Sequence, residues 1–269
     1  MRLASYHRTE TSSPHAPAVL LLHGVLGRGR NMGQLQRALA PHCRTWALDL
    51  RSHGESPAGP LSYQAMATDV LETMDSLGLN QAYIIGHSMG GKTAMAIALT
   101  APERVQGLVV GDIAPLPISN GHAALAQTLA QSPLPPLADH KAVQDYFKSF
   151  TNSEALVALL GQNVRPDRTG KPAQWQCSIT DIAAGFKNVE DWPAQLTIPH
   201  VKPYEGPTLF VRGAHSNYID GAGVQALKDL FPQAHLETIP QAGHWLHVEQ
   251  PDLFQKIVLN FLASQSPHP

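Results

Sequence analysis

Tyr83-Ile84-Ile85-Gly86-His87-Ser88-Met89-Gly90-Gly91 decides the fold of this chain. Its first three residues have the apolar, β-branched and aromatic character of a strand buried on both faces. From Met89 to Ala101 the chain is rich in small residues, with Gly90, Gly91, Ala94 and Ala98 suited to close approach on a sheet, and Pro102 ends it. Ser88 therefore falls on a tight strand-to-helix turn with Gly-x-Ser-x-Gly spacing. The flanking glycines are needed because a side chain there would meet neighbouring backbone. Such a turn exposes the hydroxyl at the carboxyl edge of the sheet, where the next helix aims N–H groups and the positive end of its dipole. The bland alternative is a glycine-softened turn with a capping serine. The motif alone is weak, and the strand before it and helix after it give it weight.

Outward from this turn, strands and helices alternate. Ala18 to Leu22, Thr45 to Leu50, Ala82 to Gly86, Val105 to Val110, Pro207 to Val211 and His235 to Ile239 read as strands, with Leu3 to His7 as an extra edge strand. Tyr63, Met66, Val70, Met74 and Leu77 recur at steps of 3, 4, 4 and 3, one face of a helix with Ser62 as N-cap and Gly78 as stop. A last helix starts at Pro251 and carries Leu253, Phe254, Ile257, Val258, Phe261 and Leu262 as an apolar stripe. The alternation predicts an α/β fold, a mostly parallel twisted sheet with helices on both faces. Residues 113–205 break it, and at about ninety residues they are too long for a plain connection. Helical patterns near Ala123 to Ala130, Ala142 to Phe150 and Glu154 to Leu160 make this stretch a mostly helical cap over one edge of a core built from 1–112 and 206–269.

Composition narrows the function. With 269 residues and 43% hydrophobic side chains, one large domain or one domain with an insertion can bury a sizeable core. Lys plus Arg is 19 and Asp plus Glu is 21, a formal charge of −2. No broad basic field exists to hold nucleic acid or an anionic membrane. No apolar run approaches the ~20 residues of a membrane span, and Arg2 is not followed by the apolar stretch of a secretory signal. Cys43 and Cys177 form no CxxC pair and no metal spacing; they fit a reducing cytoplasm and leave one disulfide open. No metal and no cofactor are predicted. Oligomeric state is not legible.

A serine hydroxyl is a poor nucleophile at neutral pH and needs a base. Among 14 histidines, His244 is placed best. It follows the apolar run Leu236 to Ile239 through Pro240-Gln241-Ala242-Gly243, on a loop at the same sheet edge as Ser88. His247 is the second candidate. Zinc binding by this pair lacks a third ligand and the HExxH spacing. Acyl transfer also needs donors for an oxyanion. Leu22-His23-Gly24-Val25-Leu26-Gly27 follows the first buried strand, and Gly24 lets the chain turn so that the Val25 N–H enters the site. The Met89 N–H is the second donor. The same loop lacks the GxGxxG spacing and the following acidic residue of a dinucleotide site.

With these pieces in order, the chain resembles the α/β-hydrolase superfamily nearly end to end. The resemblance rests on His23 to Gly27, Asp49-Leu50-Arg51-Ser52-His53-Gly54-Glu55-Ser56, Gly86 to Gly91 and Ala242-Gly243-His244-Trp245. Asp49 to Ser56, Gly86 to Lys92, Asp112-Ile113-Ala114-Pro115 and Gly243 to His247 are similar to the YbfF-type small esterases within it. That likeness implies a helical cap and cleavage of acyl esters, acyl-CoA thioesters included. The departure concerns the acid. Where most relatives carry Asp, this chain has Ser216, an uncharged group able to orient His244 but not to offset imidazolium charge. Asp112, at the end of the strand beside the nucleophile strand, is the preferred substitute, with Ser216 as an added orienter; Asp220 is a further candidate. The resemblance points to Asp112 too, with the Ser216 position near the histidine. Arg51 and His53 are read as bracing the loop near the nucleophile turn. Asn31 and Lys92, and Trp175, Trp192 and Trp245, are candidate substrate or pocket contacts whose ordinary use is packing or surface.

The expectation is a cofactor-free serine hydrolase acting on a small acyl ester or thioester, with Ser88, His244, Asp112 and Ser216 in the catalytic set and Val25 and Met89 as the oxyanion hole. Two alternatives keep the fold. The same triad could cleave carbon–carbon bonds or act as a perhydrolase, or the pocket could bind ligand without turnover, although the latter predicts damage to the serine, histidine or oxyanion loop that the sequence does not have.

Overall fold

Every residue of Ala18–Leu22 is buried, and the pleat divides them: Leu20 and Leu22 enter one core, Val19 and Leu21 another. A strand that feeds two cores must sit mid-sheet with both faces covered. The computed structural model describes residues 1–13, 15–118 and 121–265. Its strands are β1 (Ser5–Arg8), β2 (Ala18–Leu22), β3 (Arg44–Leu48), β4 (Ala82–His87), β5 (Val105–Gly111), β6 (Val164–Arg165), β7 (Gln174–Trp175), β8 (Thr208–Gly213) and β9 (Ala234–Ile239). β6 and β7 form a separate hairpin, and the other seven make one sheet in the order β1-β3-β2-β4-β5-β8-β9. Only β1 runs antiparallel in it. The order reverses at β2 and β4, so chain segments leaving their carboxyl ends diverge and open a crevice there.

The helices are α1 (Gly33–Leu39), α2 (Tyr63–Ser76), α3 (Met89–Thr100), α4 (His122–Gln131), α5 (His140–Phe147), α6 (Glu154–Gly161), α7 (Ile179–Glu190), α8 (Gly221–Leu230), α9 (Leu246–Glu249) and α10 (Pro251–Ser264). Leu35 and Leu39 of α1 join Phe254, Val258 and Phe261 of α10 on one face of the sheet. On the other, α2, α3 and α8 share a core with α4–α7. Within 113–205, α4 packs on α7 and α5 on α6. Ser62 caps α2 as its sequence predicts, accepting from the Ala65 N–H, and Gly78 follows it with φ +71°.

Several boundaries differ from the sequence reading. β3 stops at Leu48, two residues short of the sequence reading, and the Leu50 N–H goes to the His23 side chain instead of to a strand. The edge strand is shifted to Ser5–Arg8, and β8 runs on to Gly213. The Ala142 to Phe150 helix is α5, which starts earlier because Asp139 caps it and ends at Phe147. The hairpin β6–β7 and the helix α7 were not foreseen.

Candidate active site

Ser88 stands between β4 and α3 with φ +53° and ψ −118°, a strained conformation for a residue with a side chain. Close backbone approach holds it there. A Cβ on Gly86 would lie 2.2 Å from the Gly90 carbonyl oxygen, and one on Gly90 would lie 2.4 Å from that of Leu22. Neither carbonyl can yield without moving a strand or the start of α3. Gly90→Ala is therefore expected to lower the unfolding free energy by more than about 2 kcal/mol, read as the urea midpoint. An unchanged midpoint would mean that α3 is not seated against β2 as described.

His244 lies on the loop between β9 and α9. Its Nε2 is 3.1 Å from Ser88 Oγ and its Nδ1 is 2.8 Å from Asp112 Oδ2. A carboxylate at Nδ1 fixes the proton there and leaves Nε2 as the acceptor for the serine hydroxyl. Asp112 is fully buried at the end of β5, with φ +50°. Its Oδ1 accepts the Gly213 N–H at 3.1 Å, and its Oδ2 also accepts the Ser216 hydroxyl. The Tyr218 ring stacks on His244 at 3.7 Å, 14° from parallel. Two backbone clamps fix this loop. His87 Nε2–H donates to the His244 carbonyl at 2.7 Å, and Glu249 accepts the N–H groups of Gly243 and Trp245 at 2.7 and 3.1 Å.

Three secondary candidates are placed as follows. Ser216 makes no hydrogen bond to His244 among the described residues; it donates to Asp112 and accepts the Tyr218 N–H, so it reaches the imidazole only through the carboxylate. Asp220 caps α8, accepting the Gly223 N–H at 2.8 Å, and is spent on that turn. His247 stands behind His87, ring centroids 4.3 Å apart, with no bond to Ser88.

The loop after β2 runs against the nucleophile turn: a Cβ on Gly24 would sit 3.4 Å from Ser88 Cβ and 3.1 Å from His87 Nδ1. Val25 follows on the cavity wall. Met89 opens α3, where the first amides have no acceptor within the helix. Two imidazoles support this loop. His53 Nδ1–H donates to the Arg51 carbonyl at 2.8 Å, which leaves Nε2 to accept the Leu26 N–H at 3.1 Å. His23 Nδ1–H donates to the Gly24 carbonyl, and its Nε2 accepts the Leu50 N–H at 3.0 Å. Bracing by His53 matches the sequence reading. Arg51 instead forms a buried pair with Asp69 at 2.6 Å.

Both imidazoles must stay neutral to accept an N–H. Burial lowers His53 to about 3, with His23 adding to the shift, and burial also lowers His23 and His87. Unfolded histidines titrate near 6.5, so below that pH the unfolded chain binds protons that the folded one refuses. The stability lost grows as pH falls toward the folded values. His53 alone removes on the order of 2 kcal/mol between pH 6.5 and pH 5. Urea midpoints are expected to drop steeply over that interval, and a flat profile would contradict neutral, buried imidazoles.

A cavity of about 270 Å³ opens over Ser88 and His244. Leu125 of α4, Leu156 and Leu159 of α6, Phe186 of α7 and Val248 of α9 make it mainly apolar. Asn31 and Trp245, two of the candidate contacts, line it. Lys92 does not. It is fully buried, and its Nζ donates to the carbonyls of Glu190 and Asp191 at 3.1 and 2.8 Å, capping the end of α7. Trp192 is buried near Tyr63, and Trp175 packs against Phe147. Sequence reasoning missed His122 on the cavity wall and the Glu249 clamp. Their only signals were proximity in sequence to the start of α4 and to His244. Among the described residues no cluster of three metal-ligating side chains occurs, and no helix is long and apolar enough to cross a membrane. Cys43 and Cys177 are free thiols.

A family model for the alpha/beta hydrolase fold matches residues 17–251. The chain belongs to this family. Among similar proteins, the sn-1-specific diacylglycerol lipase ABHD11 of Mus musculus is 34% identical over 256 residues, covering 92% of this chain and 81% of its own length. Esterase YbfF of Escherichia coli (strain K12) is 28% identical over 278 residues, covering 97% and 99%. A solved structure of a marine microorganism esterase matches with a TM-score of 0.88 at 31% identity, covering 97% of this chain and 99% of that one. The YbfF likeness read from the motifs thus extends along the whole α/β-hydrolase chain.

Proposed function

We propose that this α/β-hydrolase is a serine esterase that cleaves small acyl esters through an acyl-enzyme on Ser88. One observation carries the reading: the unbroken chain Asp112–His244–Ser88, at 2.8 and 3.1 Å, opens into an apolar cavity. In the first half-reaction Ser88 Oγ attacks the acyl carbonyl carbon while His244 Nε2 takes its proton. The tetrahedral oxyanion is held by the Val25 and Met89 N–H groups. The C–O bond to the leaving alcohol then breaks, and the alcohol departs with the proton returned by His244. In the second half-reaction His244 deprotonates a water, which attacks the acyl carbonyl; the bond to Ser88 Oγ then breaks, His244 returns the proton to Oγ, and the acid is freed. Asp112 holds the Nδ1 tautomer and balances the imidazolium, and Ser216 orients Asp112. Residues 113–205 act as the cap whose apolar side chains receive the acyl group. The relatives named esterase or lipase support ester hydrolysis. A thioester enters by the same steps with a thiol leaving.

The test is a panel of nitrophenyl esters, acyl-CoA thioesters and vinylogous diketones. The esters or thioesters are expected to turn over best. Greater kcat/KM on the diketones would favour carbon–carbon cleavage, and turnover of none would favour a ligand-binding role.

A further inference from the structure

α6 has two roles in this fold. Ala155, Leu156, Ala158 and Leu159 form one wall of the cavity. Just past the end of the helix, Gln162 and Asn163 grip the loop that carries Val25. Arg28 Nη1 donates to the Gln162 carbonyl at 3.0 Å, Asn31 Nδ2 donates to Gln162 Oε1, and Asn31 Oδ1 accepts the Arg28 N–H at 2.7 Å.

Asn163 is 1% exposed. Its Nδ2 donates to the Leu26 carbonyl at 2.5 Å and to the Leu159 carbonyl at 3.0 Å. Both neighbours are acceptors, so chemistry fixes which end of the amide faces them. The other end, Oδ1, is buried with no partner among the described residues. The two donated bonds place this amide between the end of α6 and the loop after β2, and so give it a use beyond ending the helix. Leu26 shows what that use is. It has φ +58°, a left-handed conformation that a leucine keeps only when its surroundings impose it. His53 holds its N–H and Asn163 its C=O. The two peptide units that follow the Val25 N–H are thus pinned, one from the core and one from α6.

We propose that α6 couples the acyl pocket to the oxyanion hole, with Asn163 as the positioning residue. An apolar acyl arm packed on Leu156 and Leu159 steadies the end of α6. Asn163 then fixes the Leu26 carbonyl, and the Val25 N–H is set toward the oxyanion. Binding energy from the remote arm is expressed in the transition state, so it raises kcat as well as lowering KM. The proposal rests on the Ser88 reading above and deepens it.

The test is steady-state kinetics on nitrophenyl acetate, butyrate, hexanoate and octanoate. In the wild-type protein kcat is expected to rise along the series. In Asn163→Ala it is expected to flatten, with an about tenfold loss on the longest ester, less than removal of a donor would cost, and little on acetate, which has no arm to reach α6. KM should still fall with length, because the apolar wall is intact. Asn163→Ser keeps one donor and should restore most of the slope; should the alanine variant not fold, a partial loss confined to the long esters in Asn163→Ser decides. An equal loss on every ester, an unchanged series, or a wild-type kcat independent of length would each overturn the coupling. Turnover by Ser88→Ala at the wild-type rate would instead overturn the esterase reading itself.

Discussion

Replacing Ser88 by Ala is expected to lower kcat on an acyl ester by about 10⁴- to 10⁶-fold while leaving KM within a few-fold. The size follows from the role. Without Oγ the carbonyl must be attacked by water, and the Val25 and Met89 N–H groups and substrate binding can supply only a residual acceleration. The protein should still fold, because the same glycines enforce the turn at Ser88 whether or not its side chain carries a hydroxyl. Circular dichroism and a urea midpoint close to wild type would show that activity was lost and the fold kept. Retention of more than about a hundredth of the activity would remove Ser88 from the chemistry.

The second large effect belongs to Asp112. Asp112→Asn is expected to cost about 10⁴-fold in kcat with geometry nearly intact. The amide oxygen can still accept the Gly213 N–H, but the NH₂ would face His244 Nδ1 and drive the proton to Nε2, where it opposes the Ser88 hydroxyl. Ser216→Ala should cost less than about tenfold, because Asp112 keeps the Gly213 N–H and the imidazole as donors. Comparing kcat/KM of the two variants on one ester decides the order. Greater damage from Ser216→Ala would make the hydroxyl, and not the carboxylate, the partner on which His244 depends.

Local pattern carried the sequence reading where local physics decides. The buried run of β2, the capped stripe of α2 and the strand–glycine–serine–glycine–helix turn each announce themselves within a dozen residues. His244 and Asp112 were legible because strand ends share one edge of a parallel sheet. What failed depends on contacts between distant segments. Asp220 and Ser216 sit four residues apart on one loop, and only the tertiary fold shows that one caps α8 while the other turns to Asp112. Lys92 reads as a surface charge, yet its stem lies buried and its amine closes α7 nearly a hundred residues on. α7 was hidden partly by Gly185, which lowers helix propensity but leaves room for Leu61, 2.6 Å from where a Cβ would stand. The strain at Leu26 has no sequence signal, since its cause is His53 on one side and Asn163 on the other.

The central claim is that Ser88 is a nucleophile activated by His244. Its most direct test is reaction of the folded protein with a fluorophosphonate, followed by intact mass and peptide mapping. One adduct per chain, located on Ser88, absent in Ser88→Ala and formed far more slowly in His244→Ala, is the predicted result. A folded, unmodified protein, or an adduct on another residue with Ser88 untouched, would contradict it.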